Sequence, residues 1–156
     1  VISKSDLPLT VPGEDVPQMV KVRRNMTRVA IIEDPVEVVL QRKSTGDGEA
    51  GGFDTGSDPE ELSPQIFRIY SYGRLWDVDE RDSRGGVRRE LLWSILAMFN
   101  ADIQRDDYFD IVTEKVPQTG DNDDDGPKRR FEARFVRPQT LHGNVVSKQV
   151  ELRELT

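Results

Sequence analysis

The side chains best suited to chemistry in this sequence are carboxylates. Asp121, Asp123, Asp125, Gly126 and Glu132 fit D-x-[DN]-x-[DN]-G-x5-E, the spacing with which a calcium-binding loop wraps oxygen ligands around its ion. The flanks do not suit such a loop. It needs a helix on each side, whereas Pro117 and Gly120 precede this one and an alternating segment follows. An acidic turn between two strands, with its carboxylates in water, is the simpler reading. A metal, were one bound, would fall to Asp121, Asp123, Asp125 and Glu132. A second group, Asp102, Asp106, Asp107 and Asp110, offers the only material for acid/base hydrolysis, which needs two carboxyls converging at a defined separation. Acids packed so closely along the chain read instead as a solvated edge. His142, beside Gly143, reads as a surface residue of a turn. Lys21-Val-Arg-Arg24 with Arg28, and Lys128-Arg-Arg130, could touch phosphate. In an acidic chain, internal charge compensation or salt bridges to a neighbouring subunit fit them better.

The remaining composition narrows the classes further. At 156 residues the chain is long enough for one domain. Lys and Arg number 22 and Asp and Glu 29, a net charge of −7 that argues against a free-standing reader of duplex DNA. There is no cysteine and only one histidine, which excludes disulfides, thiolate zinc sites, cysteine nucleophiles and two-histidine metal sites within one chain. No apolar run approaches the roughly 20 residues of a membrane helix. Acidic residues and prolines occupy the start of the chain where a signal peptide is cationic and then apolar, so assembly in the cytosol is the expectation.

These side chains need elements to position them. Residues 1–24, with Pro8, Pro12, Gly13 and Pro17 and no sustained period, read as an extended arm that orders only on a partner. Asn25 is a plausible cap for a short helix to Glu33, and Pro35 stops it. Val36–Arg42 alternates as a half-buried strand with Val36, Val38 and Leu40 on one face. Thr45–Leu62, rich in glycine, reads as a long loop, and Gln65–Tyr72 as a strand pairing with the first. A polar loop over residues 73–86 leads into Val87–Phe99, whose nearly all-round apolar character predicts a buried helix, central to the fold or at a subunit contact. Tyr108–Thr113, the alternation of Phe131, Ala133 and Phe135, and the shared face of Val146, Val150 and Leu152 predict three further strands. The fold class expected is α+β, mainly β: a small curled or closed antiparallel β-barrel-like domain over residues 25–156, with one substantial helix, long loops and the N-terminal arm.

Several separated pieces carry a family resemblance. They are Asp34-Pro35, the strand ending in Arg42, Gly51-Gly52-Phe53, and Pro64-Gln65 leading into Arg68-Ile69-Tyr70. After the segment to Phe99 come Asn100-Ala-Asp-Ile103, Asp107-Tyr108-Phe109 and the closing Lys148–Glu154. In order and spacing the stretch from Asp34 to Thr156 resembles the head-closure, or stopper, proteins of the head-to-tail connector in tailed bacteriophages. The acidic insertion at 118–126 and the long N-terminal arm depart from that pattern. The resemblance implies a β-barrel-like subunit of a virion ring, commonly twelvefold, between the portal or adaptor and the tail terminator or tail tube. That ring closes the channel on packaged double-stranded DNA and opens at ejection, without catalysis, cofactor or membrane. On this reading Gly48, Gly51, Gly52, Phe53 and Asp54 are channel-loop candidates, with residues 73–86 as the other possible plug. Leu91, Leu92, Trp93, Ile95, Leu96 and Phe99 are candidates for subunit contacts. A tail-terminator or tail-completion ring, a calcium-dependent binding module on residues 121–132, and an unspecified hydrolase are the alternatives.

Overall fold

A computed structural model describes residues 2–43, 58–75, 89–112 and 128–155 of the chain. Helix α1 spans Gln18–Glu33 and is followed by strands β1 (Val36–Val38), β2 (Gln41–Arg42), β3 (Glu60–Glu61), β4 (Gln65–Leu75), β5 (Arg89–Met98), β6 (Tyr108–Val112), β7 (Lys128–Leu141) and β8 (Asn144–Leu155). The eight strands form one sheet in the order β1-β4-β5-β8-β7-β6-β2-β3, and its paired neighbours are antiparallel. β1 lies at one edge and β2 next to the other, yet only Val39 and Leu40 separate them in the chain. The sheet therefore curls until its two edges approach, as the composition and strand pattern predicted.

The interior of the curl is filled. Val38, Leu40, Phe67, Ile95, Phe109, Phe131, Val150 and Leu152 form the main buried cluster. Phe131 sits edge-on to Trp93 at 5.3 Å and stacks with Phe109 at 5.8 Å between ring centres. A barrel of this size packed with phenylalanines is a core and not a pore.

The apolar segment expected as a helix over residues 87–99 is instead strand β5, and its position in the sheet explains the misreading. β5 lies between β4 and β8. Ile95 and Ala97 face the barrel interior, whereas Leu96 and Met98 face outward under a second cluster with Leu7, Ile31 and Phe99. A strand covered on both faces is apolar throughout, and periodicity alone cannot separate it from a buried helix.

The N-terminal arm also needs correction. Residues 1–24 are not one extended arm: Lys4–Asp6 is a turn of 3-10 helix and α1 begins at Gln18, not at Asn25. Leu7, Val16 and Val20 are buried on this chain's own barrel. The inward face of α1 reads Val20, Arg24, Ile31, and an arginine in the middle breaks the apolar period that would have revealed the helix. Arg24 is 1% exposed. It donates from Nε to the Val145 carbonyl (3.0 Å), from one terminal nitrogen to the Leu9 carbonyl (3.0 Å) and from the other to Glu14 Oε1 (2.8 Å), and lies 3.5 Å over the Phe99 ring. The Arg24 hydrogen bond holds the Glu14 carboxyl below its usual range. At the other end of α1, Arg68 donates to the Ala30 carbonyl (3.1 Å), and Asp34-Pro35 ends the helix.

Smaller differences follow from local geometry. The strand expected over residues 36–42 is broken into β1 and β2; Glu60 and Glu61, expected in a loop, pair with Arg42 and Gln41; and β4 runs on to Leu75. Phe135 does not share a face with Phe131 and Ala133. A bulge at Arg134 puts it opposite Glu151, where it is 44% exposed against 1% for Phe131, and Val136 takes its place on the core. A second irregularity, between Gln139 and Thr140, sends Val146 to a separate cluster with Val16 and Val20, away from Val150 and Leu152. His142 (φ 49°) and Gly143 (φ 76°) make the two-residue turn of the β7–β8 hairpin, where both central positions need positive φ.

This packing predicts opposite outcomes for two phenylalanines in one strand. Phe131→Ala is expected to lower the unfolding free energy by about 3–5 kcal/mol in urea titration, and Phe135→Ala by less than about 1 kcal/mol. Equal losses would refute the bulge.

Candidate functional site

The most distinctive polar constellation lies where the sheet edges meet. Leaving β5, the chain runs through Phe99–Asp107 without regular structure, so its backbone groups must find partners elsewhere. Gln65, at the start of β4, takes both groups of Asp102: its Nε2 donates to the Asp102 carbonyl and its Oε1 accepts from the Asp102 amide, each at 2.8 Å. Lys148 on β8 donates to the Ala101 carbonyl at 2.6 Å. Asp106 sits in the left-handed region (φ 71°) that an aspartate tolerates. The amide of Asp106 and the carbonyl of Asp107 bond to Ala133, each at 2.8 Å.

This turn holds Asp107 inside the protein, with its side chain 1% exposed. Arg42 grips it with both ends of its fork, Nε to Oδ1 at 2.9 Å and a terminal nitrogen to Oδ2 at 2.8 Å, while that nitrogen also reaches Asp102 Oδ1 at 3.0 Å. The Gln104 amide donates to Asp107 Oδ2 at 2.8 Å. Asp107, foremost through its hydrogen bonds, raises the pKa of the Arg42 guanidinium above the ordinary arginine value. Arg42, Gln65, Asp102 and Asp107 thus form one polar clasp joining β2, β4 and the approach to β6.

The acids considered for hydrolysis each stand beside an arginine. Asp102 and Asp107 share Arg42, and Asp110 is held through both oxygens by Arg130 at 2.8 and 2.9 Å. Asp106 is exposed, 3.8 Å from Arg105. The Arg130 guanidinium, strengthened as an acid-pairing group chiefly by Asp110, also lies 5.1 Å over the Tyr108 ring. Its neighbour Arg129 binds both oxygens of Glu154 and stands 4.8 Å over Trp93 and 5.5 Å over Phe131, covering the core at the opposite end of the barrel from the clasp. That bond holds the Glu154 carboxyl below its usual range. Of the basic clusters singled out in the sequence, three members are paired within the chain, Arg24 with Glu14, Arg129 with Glu154 and Arg130 with Asp110.

The other candidate residues divide. Trp93, Ile95, Leu96 and Phe99 pack within this chain, the last under Arg24. Their burial in this chain comes from its own core, the first of the two positions that the apolar segment predicts. Leu91 and Leu92 lie in β5 opposite Gly73 and Tyr72. Gly48, Gly51, Gly52, Phe53 and Asp54 lie outside the described residues, as do Asp121, Asp123 and Asp125. Glu132, the remaining member of the calcium pattern, lies on β7 opposite Tyr108 with its carboxylate 3.9 Å from Lys43 Nζ. Among the described residues no cluster of three or more His, Asp or Glu side chains is placed to hold a metal, and no helix is long and apolar enough to cross a membrane.

Reading the acids alone missed Arg42 and Gln65 as their partners. The Arg42–Asp107 pair is separated by 65 residues and the Gln65–Asp102 pair by 37, so no local spacing could reveal either. Replacing Asp107 by Asn is expected to cost about 2–4 kcal/mol in urea unfolding, because it leaves a half-buried guanidinium short of its main partner. Asp106→Asn should stay within about 0.5 kcal/mol, since that side chain is exposed and asparagine accepts the same backbone. The reverse order would contradict the clasp.

No protein-family model matches this sequence, and no curated protein matches it at a significant level.

Proposed function

We propose that this chain is a structural subunit of the neck of a tailed bacteriophage, forming a ring that joins portal or adaptor to tail and closes the channel on packaged DNA. One observation carries the reading. The pieces that gave the sequence its resemblance to head-closure proteins are far apart in the chain, yet Arg42, Gln65, Asp102 and Asp107 meet in one clasp. Two more of those pieces, Arg68 and Asp34-Pro35, set the end of α1 on the same barrel. Motif residues that assemble into one closure device fit selection for a common fold better than coincidence.

The barrel's filled interior means that a DNA channel would be bounded by several copies, not threaded through one. A net charge of −7 suits the wall of such a channel, because carboxylates do not grip phosphates and the duplex can slide. The clasp also anchors one root of the glycine-rich segment 44–57: Arg42 precedes it, and Glu60 and Glu61 pair with β2 where the described chain resumes.

The test is to mix the purified chain with DNA-filled, tailless capsids and image them by electron cryomicroscopy, with nuclease protection of the DNA as a second readout. Density at a single vertex with increased protection is the expected result. No binding, or binding spread over the shell without protection, would overturn the proposal.

A further inference from the structure

Helix α1 carries its apolar stripe on the wrong side for a monomer. Val20, Arg24 and Ile31 face its own barrel. Met19, Val22, Met26 and Val29, at alternating steps of three and four, lie on the opposite side and are 56, 44, 57 and 43% exposed. That is the spacing with which a helix packs against a further surface. Arg23 borders the stripe on one side and Lys21 lies beyond its other edge, while Glu33, the only acid in the helix, is held by Arg68. In a chain of net charge −7 this is a local cationic, apolar face.

Two such faces would oppose like charges, which disfavours symmetric pairing through α1. A complement exists elsewhere on the same molecule. Val38 and Leu40 point into the core, so the alternate residues Glu37, Val39 and Gln41 point outward, and Glu61, paired with Gln41, shares that face. Glu37, Val39 and Glu61 are exposed, and neither glutamate forms an ion pair with a described residue. An exposed valine beside two exposed carboxylates on one copy matches a methionine–valine stripe bordered by Arg23 and Lys21 on another.

We propose that α1 of one copy docks its Met19, Val22, Met26 and Val29 stripe on the Glu37, Val39 and Glu61 face of the next copy. The two faces differ, so the contact is heterologous and repeats from copy to copy, which is the form a ring requires. The inference rests on the ring reading above and names the surfaces that would build it.

The test follows the mass of the full chain by light scattering, with circular dichroism to confirm folding. Wild type is expected to assemble beyond a monomer and to weaken with salt. Met26→Asp should raise the dissociation constant about thirtyfold or more, the range of an interface hot spot. One variant, Lys21→Glu/Arg23→Glu, has two acidic faces; another, Glu37→Lys/Glu61→Lys, has two basic ones. Each alone should remain monomeric, and their equimolar mixture should assemble with alternating copies. Assembly of either variant alone at wild-type strength, failure of the mixture, or a wild type that stays monomeric up to its solubility limit would overturn the contact. A monomeric wild type that still docks at one capsid vertex would refute this interface and leave the neck reading standing. An assembling wild type that ignores capsids would do the reverse.

Discussion

A buried ion pair helps a fold only when its geometry is good and its remaining hydrogen-bonding positions are filled. Arg42 and Asp107 meet that condition: both carboxylate oxygens take a guanidinium nitrogen, and one also takes the Gln104 amide. The pair matters because of where it lies. β2 and β6 share a single register pair, Gln41 with Tyr108, so ladder hydrogen bonds alone give that seam little strength. The clasp supplies what the ladder lacks, and through Gln65 it ties the start of β4 into the same corner. Without it the β7–β8 and β4–β5 pairs would remain, but the curled sheet would lose the polar link that reinforces the approach of its edges.

A second arginine organises the outside of the barrel in the same way. Arg24 gathers the N-terminal segment through Leu9 and Glu14, the β8 strand through Val145 and the end of β5 through Phe99. Lysine could not replace either residue, since one ammonium cannot present the planar fork that reaches several acceptors at once. With Arg24 among its inward residues, α1 leaves Met19, Val22, Met26 and Val29 outward, the stripe proposed above to dock on another copy.

The sequence revealed much of the mainly β barrel and little of how it is held. Alternation identified Val36–Val38 and the Phe131–Ala133 part of β7, each of which buries one face, and the strands expected over Gln65–Tyr72 and Tyr108–Thr113 correspond to β4 and β6. It failed at β5, which buries both, and at α1, whose period is inverted by Arg24. It also failed beyond Arg134, where one inserted residue exchanges the faces of Phe135 and Val136. The clasp was half legible. Its acids stood out as a cluster, but they read as a solvated edge because their arginine and glutamine lie far away in the chain. Arg42, Gln65, Asp102 and Asp107 lie in separate pieces of the sequence, and only the fold brings them into one clasp.

The barrel, its clasp and the outward stripe of α1 describe a domain whose core is closed within the chain and whose helix keeps an apolar stripe exposed. All of this depends on the seam between β2 and β6. The most direct measurement is a double-mutant cycle on Arg42→Met and Asp107→Leu, read by urea unfolding. The clasp predicts a coupling free energy of at least about 2 kcal/mol, with the double variant more stable than the sum of the single losses allows. Losses that add to within about 0.5 kcal/mol would show that the two residues stabilise the barrel independently and that the seam is held by something else.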